Sequence, residues 1–425
     1  MDYTYYIEPN DSISLKIPQE NYLGCISIEE APELASPEEE CRSALQKPYG
    51  TSTLHELARG KKCAVILVSD YTRAIPADQL LPPVIEELCH AGMNESQITL
   101  VIACGTHRPS TKEEIRSIVG RKWSDRLTII NHNAQDEKAL GFIGKTDRGT
   151  PVWINKLILE SDLRIALGQI ELHEFAGFSG GAKSILPGVS GEDTVRANHS
   201  PEMIGHPLAR PGVIEENPVH EDMVEAASMA GLDFIVNITR NMNQQITGVF
   251  AGSMIEAHKR GVDFISSYSR MELPYRPDII VTTPGAALSV DFYQSLKPVI
   301  ALDAIASRGT IIVLHAVCPD VLGSMGDEMI KAFEGASSPE KVIEKLKQDY
   351  QPQMDHALLL SRLLAKGVKV IASSPNVPAE LLEQMLLLPA QSAQQALDLA
   401  IQLSCSECPS VLVYPQAERT LPVLT

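Results

Sequence analysis

The sequence predicts an α/β protein of two domains, each with a mainly parallel sheet, and an active site in the cleft between them. Two patterns predict this. Short apolar runs alternate with longer stretches of helical spacing along most of the chain, the signature of βαβ units. Polar clusters follow several of the apolar runs, and the carboxyl ends of parallel strands are where such sheets do chemistry. At about 150 residues per domain, 425 residues make two or three. The Pro-rich stretch Leu273-Pro-Tyr-Arg-Pro277 is the candidate junction. It gives an N-terminal domain over 1–272 and a C-terminal domain over 273–425 that closes over the substrate.

Residues 62–69 form the first expected strand, with Val65, Ile66, Leu67 and Val68 in sequence. Residues 77–91 carry Leu80, Leu81, Val84, Ile85 and Leu88 at helical spacing and stop at Gly92, a good helix terminator. A strand at 98–103 precedes a helix at 110–119, for which Ser110 and Glu113 suggest a capping box. Strands follow at 127–131 and 163–167, then a helix at 220–230, a strand at 234–238 and a helix at 253–265. Beyond the junction come a strand at 278–282, a helix at 292–306, a strand at 310–314 and helices between 327 and 366. A strand at 368–372, a helix at 391–403 and a strand at 410–413 complete the series. No repeat, heptad run or low-complexity segment interrupts it.

Composition narrows the function. Hydrophobic residues make up 44% and charged residues 21%, and 36 basic against 54 acidic side chains leave a formal charge of −18. Such a field repels phosphate backbones and anionic lipid, so neither nucleic acid nor a membrane surface is an expected partner. An anionic ligand needs a local Arg or Lys. No apolar run approaches the roughly 20 residues that span a bilayer. The start, MDYTYYIEPN, lacks a basic region followed by an apolar core, and a cytoplasmic location is expected. Of eight cysteines, six are scattered and read as small hydrophobes of a reducing compartment. Cys405-Ser-Glu-Cys408 has a helical stretch before it and a strand after it. That reverses the thioredoxin order, and with no second CxxC for zinc the pair reads as incidental.

The segment 169–199 is the richest in chemistry. Glycines at 177, 180, 181, 188 and 191 surround Ser179, Lys183 and Ser184. That composition suits a phosphate-binding loop with a functional lysine. Gly177, Lys183 and Ser184 fit the nucleotide P-loop, but Ala182 stands where it needs glycine, and Pro187 and Gly188 follow too closely for a long helix. A Gly-rich surface loop with a solvated lysine is the plainer alternative. His173, His199, His206 and His220 fall within 48 residues, and His107 follows a strand between Thr106 and Arg108. Clustered with Lys and Arg, they suit acid–base work or metal ligation, although their spacing names no metal. Gln294 and Lys297 share a helix face, as do Asp70 and Arg73; taken alone, a solvated face is the better explanation of either pair.

Together these segments resemble the nickel-pincer lactate racemase family. The resemblance rests on SDYTRAIP (69–76), CGTHRPSTKEE (104–114), HEFAGFSGGAKSILPGVSG (173–191) with Asn198-His199, ENPVHEDMVEAASMAGLDFIVN (216–237) and DFYQSLK (291–297). It implies a nickel-pincer mononucleotide joined covalently to Lys183, with Lys183 and His199 at the metal. It further implies that Ser179, Gly180, Gly181, Ser184, Asp70 and Thr72 surround the cofactor, and that His107 and His173 alternate as acid and base. Arg73, Tyr293, Gln294 and Lys297 would hold a small 2-hydroxy acid, whose C2 is inverted by reversible hydride transfer. Cofactor-synthesis enzymes are the implied partners, without which the protein would be made as apoprotein. Many members read GGYPLD before the Tyr-Gln pair, whereas residues 285–289 here are Gly-Ala-Ala-Leu-Ser. The substrate is therefore left at the level of lactate, malate, an aldonate or a similar acid. Two other readings compete: a P-loop-like phosphotransferase, and a non-catalytic protein that binds a nucleotide or carboxylate.

Overall fold

The structure, a computed structural model, describes the backbone of residues 2–8, 11–73, 75–286 and 288–425. It describes the side chains of these from residue 13 onward, apart from Arg73 and Ser324. The chain divides into two compact units. One comprises Glu30–His199 and His206–Tyr268; the other comprises Met1–Glu29, Ser200–Gly205 and Ser269–Thr425.

The first unit is built on a six-stranded sheet in the order Ile246–Gly252, Phe234–Arg240, Leu163–Gln169, Ala64–Ser69, Ile98–Ala103, Thr128–Asn131. The last five strands of that order run parallel, and Ile246–Gly252 is antiparallel to its neighbour. Ala64 to Val68 are all buried, as a parallel strand covered on both faces requires. The helix Ala77–His90 buries Leu80, Leu81, Val84 and Leu88 in the same core, each worth about 1.5–3 kcal/mol relative to exposure. The chain builds outward from Ala64–Ser69 in one direction, then returns and builds outward in the other from Leu163–Gln169. The crevice at the carboxyl ends of these two strands is the topological switch point, where open α/β sheets bind ligands.

The second unit has an all-parallel sheet in the order Leu388–Ala390, Lys369–Ser373, Ile311–His315, Ile279–Thr282, Val411–Val413, Tyr22–Cys25. Its switch point lies between Ile279–Thr282 and Val411–Val413. The expected boundary at 272/273 differs from this arrangement at its N-terminal end. Tyr22–Cys25 pairs with Val411–Val413, so the first 29 residues group with the C-terminal sheet. The helix Pro201–Ile204 also belongs here, and the Arg362 guanidinium donates to the Ile204 carbonyl at 3.1 Å.

Two local expectations are corrected. The capping box of the helix Lys112–Ser124 is formed by Thr111 and Glu114, one residue later than expected, while the Ser110 N–H donates to Asn131. The helix expected over 292–306 is three short turns, Phe292–Ser295, Lys297–Ala301 and Leu302–Ala304. Pro298 has no N–H to continue the ladder. No helix among the described residues is long and apolar enough to cross a membrane.

Candidate active site

At the first unit's switch point, Ala64–Ser69 leads directly into Asp70, which is 3% exposed, and the single turn Tyr71–Arg73. The Thr72 hydroxyl and N–H both donate to Asp70 Oδ1, at 2.7 and 3.2 Å. The other carboxylate oxygen lies 2.8 Å from Nδ1 of His107, which stands in the loop after Ile98–Ala103. A carboxylate can only accept, so it takes the Nδ1 proton and leaves the imidazole lone pair on Nε2. The His107 side chain is 30% exposed against 4% for Asp70: a sealed carboxylate orients a reachable base. Asp70 and Thr72, expected around the cofactor, thus form the cradle of His107. The Arg73 side chain lies outside the described residues.

The segment after Leu163–Gln169 folds back over the strand end. Leu172–His173 pairs with Gly177–Phe178 in a minimal hairpin. The Ser179 hydroxyl donates to the Gln169 carbonyl at 2.8 Å and accepts the Glu171 N–H at 3.0 Å. Gly180 and Gly181 have φ of +79° and +51°, which glycine adopts freely. The Gly181 N–H donates at 2.8 Å to Asn237 Oδ1, and Nε2 of the buried His258 lies 2.8 Å from the Ser179 carbonyl. A side chain at Gly168 would meet Asn237 at 3.0 Å and Ser184 at 3.8 Å, so the loop rests on the strand with no room to spare. Lys183 and Ser184 lie in a single turn, Gly181–Ser184. No helix starts there to aim a row of N–H groups at a triphosphate, which removes the structural basis of the phosphotransferase alternative.

His173 is buried, and the backbone N–H of Ala176 donates to its Nδ1 at 3.3 Å. The Glu174 carboxylate lies 3.4 Å from the same nitrogen. The Phe175 ring stands edge-on to His173 at 4.7 Å and to His199 at 5.1 Å, so it separates and fixes the two imidazoles. His199 ends the helix Glu192–Asn198, is 7% exposed, and has no hydrogen-bond partner at its buried Nδ1. Burial and then the Lys183 charge hold its pKa down at about 3. Lys183 and His199 are therefore electrostatic neighbours, and the imidazole is neutral at physiological pH. A sealed, neutral imidazole with a spare nitrogen is what a metal ligand must be, and these residues fit a metal-bearing cofactor tethered at Lys183. The helix carrying His199 is itself anchored: Asn198 donates at 2.8 Å to the fully buried Asp222, which also accepts from Thr146 at 2.5 Å and Thr150 at 2.8 Å. Among the described residues no three His, Cys, Asp or Glu side chains gather to hold a metal by themselves.

In the second unit, Asp291 caps the turn Phe292–Ser295 by accepting the Gln294 N–H at 2.7 Å. Tyr293, expected at the substrate, is buried; its hydroxyl donates to Asp355 at 2.7 Å, and its ring stacks on His356 with centroids 3.9 Å apart. Gln294 and Lys297 are half-buried. Sequence reasoning missed the Asp70–His107 pairing and the contributions of Asn237, His258 and Asp222. The partners of each lie far away in the chain, and no spacing rule connects them.

Comparison with known proteins identifies the family. Residues 9–212 match the lactate racemase N-terminal domain, and residues 274–417 match the lactate racemase C-terminal domain. Lactate racemase of Thermoanaerobacterium thermosaccharolyticum is 34% identical over 369 residues, covering 86% of both chains. That of Lactiplantibacillus plantarum is 33% identical over 395 residues, covering 92% of both. The solved lactate racemase apoprotein from T. thermosaccharolyticum superimposes with a TM-score of 0.90 at 32% identity, covering 97% of this chain and 98% of that one. A protein of Thermotoga maritima, 17% identical with a TM-score of 0.67, shares the fold over 93% of this chain.

Proposed function

The chain belongs to the lactate racemase family and is an isomerase, and we propose that it inverts C2 of lactate using a nickel-pincer nucleotide tethered at Lys183. The observation that carries this reading is the neutral His199, whose buried Nδ1 lacks a hydrogen-bond partner, within the field of Lys183. In the reading Lys183 provides the tether and His199 a nickel ligand, while Ser179, Gly180, Gly181 and Ser184 form the loop around the nucleotide. When bound, the cofactor supplies a reversible acceptor for the hydride of C2.

The chain's own residues manage protons and charge. His107, with its lone pair on Nε2, takes the substrate hydroxyl proton while Asp70 holds the ring and balances the imidazolium. His173 is the second acid–base group, and would return a proton to the oxygen of the planar keto acid. Inversion requires one such group for each face of C2, and in the reverse direction their roles exchange. In the reading, Arg73, Gln294 and Lys297 hold the carboxylate. Tyr293, fastened to Asp355 and His356, braces the turn that carries Gln294.

The test is chiral chromatography of L- and D-lactate incubated with protein made alongside the cofactor-synthesis enzymes. Either enantiomer should drift to a 1:1 mixture. Retention of both enantiomers by nickel-loaded protein would sink the reading.

A further inference from the structure

The loop that carries Lys183 is fastened by groups with no part in the reaction above. Three alternate carbonyls of the segment 175–179 are held. That of Phe175 accepts from the Asn217 amide at 2.9 Å, that of Gly177 from the Gly212 N–H at 3.1 Å, and that of Ser179 lies 2.8 Å from Nε2 of His258. A carbonyl can only accept, so His258 carries a proton on Nε2. His258 is 5% exposed and stands on the helix Glu256–Ser269. Its ring stacks on that of His220, from the helix Pro218–Ala230, with centroids 5.7 Å apart and planes 23° from parallel. His258 also closes on the glycines: a side chain at Gly181 would come within 2.9 Å of its Cδ2. Burial lowers the pKa of both rings, that of His220 to about 4, so the pair is neutral at physiological pH and adds no charge to the loop.

We infer that His258, braced by His220, is a positioning residue for cofactor attachment: its bond to the Ser179 carbonyl and its packing on Gly181 set the direction in which Lys183 leaves the loop. The inference deepens the proposed tether at Lys183 and rests on it. Only Gly180, Gly181 and Ala182 stand between Ser179 and Lys183. Two of these are glycines at positive φ, the residue type with the widest choice of backbone conformation. Left to themselves they would let Lys183 sample many directions, whereas joining two groups requires that they be held near one geometry. The stiffness that the sequence of the loop lacks is imposed from outside, on the Gly181 N–H by Asn237 and on the Ser179 carbonyl by His258. The stacked His220 ring fixes the plane of His258, so that Nε2 keeps its aim. An apolar side chain of similar size could fill the same space. It could not donate to the Ser179 carbonyl, and Ser179 is itself buried.

The test compares His258→Leu, which keeps the bulk and loses the N–H, with His258→Gln, whose amide can restore it. Parent and variants are each made with the cofactor-synthesis enzymes for intact mass, and without them for hydrogen–deuterium exchange of the peptide spanning 176–184. In His258→Leu that peptide should exchange about tenfold faster, the scale of one buried hydrogen bond lost, while the strand Leu163–Gln169 keeps its parental rate. The fraction of chains carrying a covalent addition should fall by a similar factor. His258→Gln should recover most of both. Parental loading and parental exchange in His258→Leu would overturn the inference, since a merely space-filling histidine gives that result. So would losses that His258→Gln does not recover, or faster exchange throughout the sheet, the mark of a general loss of stability. Should His258→Leu fail to fold, His220→Leu removes the brace and spares the donor. It should speed exchange of the same peptide by a smaller factor, and a parental rate there overturns the inference. A parent that carries no addition overturns the tether reading beneath it; a loaded parent beside an equally loaded His258→Leu overturns this inference alone.

Discussion

In the first unit the segments leaving Ala64–Ser69 and Leu163–Gln169 are fastened by short hydrogen bonds, and a key group, His199, is a sealed imidazole held neutral. In the second, the turn that follows Val411–Val413 packs on the helix that carries the half-buried Lys297. Both occupy the switch point of a parallel sheet, the address at which α/β folds bind ligands. The furnishing differs with the guest. A tethered cofactor is installed once, and a rigid, desolvated cradle with a deprotonated ligand suits it. A carboxylate substrate comes and goes, and a half-buried lysine in reach of water can take up and release an anion at lower desolvation cost than a sealed one.

The contrast can be broken by mutation. The largest effect is expected in the first unit: His107→Ala or His173→Ala should lower kcat for lactate racemisation by about 10²-fold or more, with KM nearly unchanged, measured by coupled or chiral assay on loaded protein. Asp70→Asn should follow His107→Ala in direction with a smaller loss, because it leaves the ring but removes its orienting charge. In the second unit, Lys297→Ala should act on the other parameter, raising KM by about 10-fold or more. If the His variants chiefly raised KM and the Lys variant chiefly lowered kcat, the division of labour would be wrong.

The smallest effect at neutral pH belongs to His132, buried beneath the loop with its ring nitrogens on Ser190 and Asn155. Burial lowers its pKa from 6.5 to about 4, so between those values the unfolded chain binds the extra proton. Its stabilising contribution is complete above pH 6.5 and is lost as pH falls towards 4, up to about 3 kcal/mol in all. Melting curves of the parent should therefore shift down across that window, and His132→Asn should flatten part of the slope. An unchanged slope in the variant would show that His132 titrates normally.

Much of this was legible in the order of residues. Continuous apolar runs such as Ala64–Ser69 and Ile98–Ala103 can only be strands covered on both faces, and they are. The glycines about Lys183 announced a loop in close contact with its surroundings, and Pro187 and Gly188 announced that no long helix follows. What stayed hidden depends on pairings distant in the chain. Tyr22–Cys25 is a short edge strand whose partner lies almost 400 residues on. The hairpin Leu140–Lys145 with Pro151–Asn155 mixes glycine, lysine and apolar residues without a clear period. Asp70 meets His107 and Gly181 meets Asn237 only because parallel strands bring distant segments together.

The central claim is that Lys183, beside a neutral His199, carries the cofactor. Intact mass under denaturing conditions tests it most directly, on parent and Lys183→Ala chains each made with the cofactor-synthesis enzymes. The account predicts a covalent addition to the 46.3 kDa parent and none on the variant. An addition retained by the variant, or a racemising parent of unmodified mass, would contradict it.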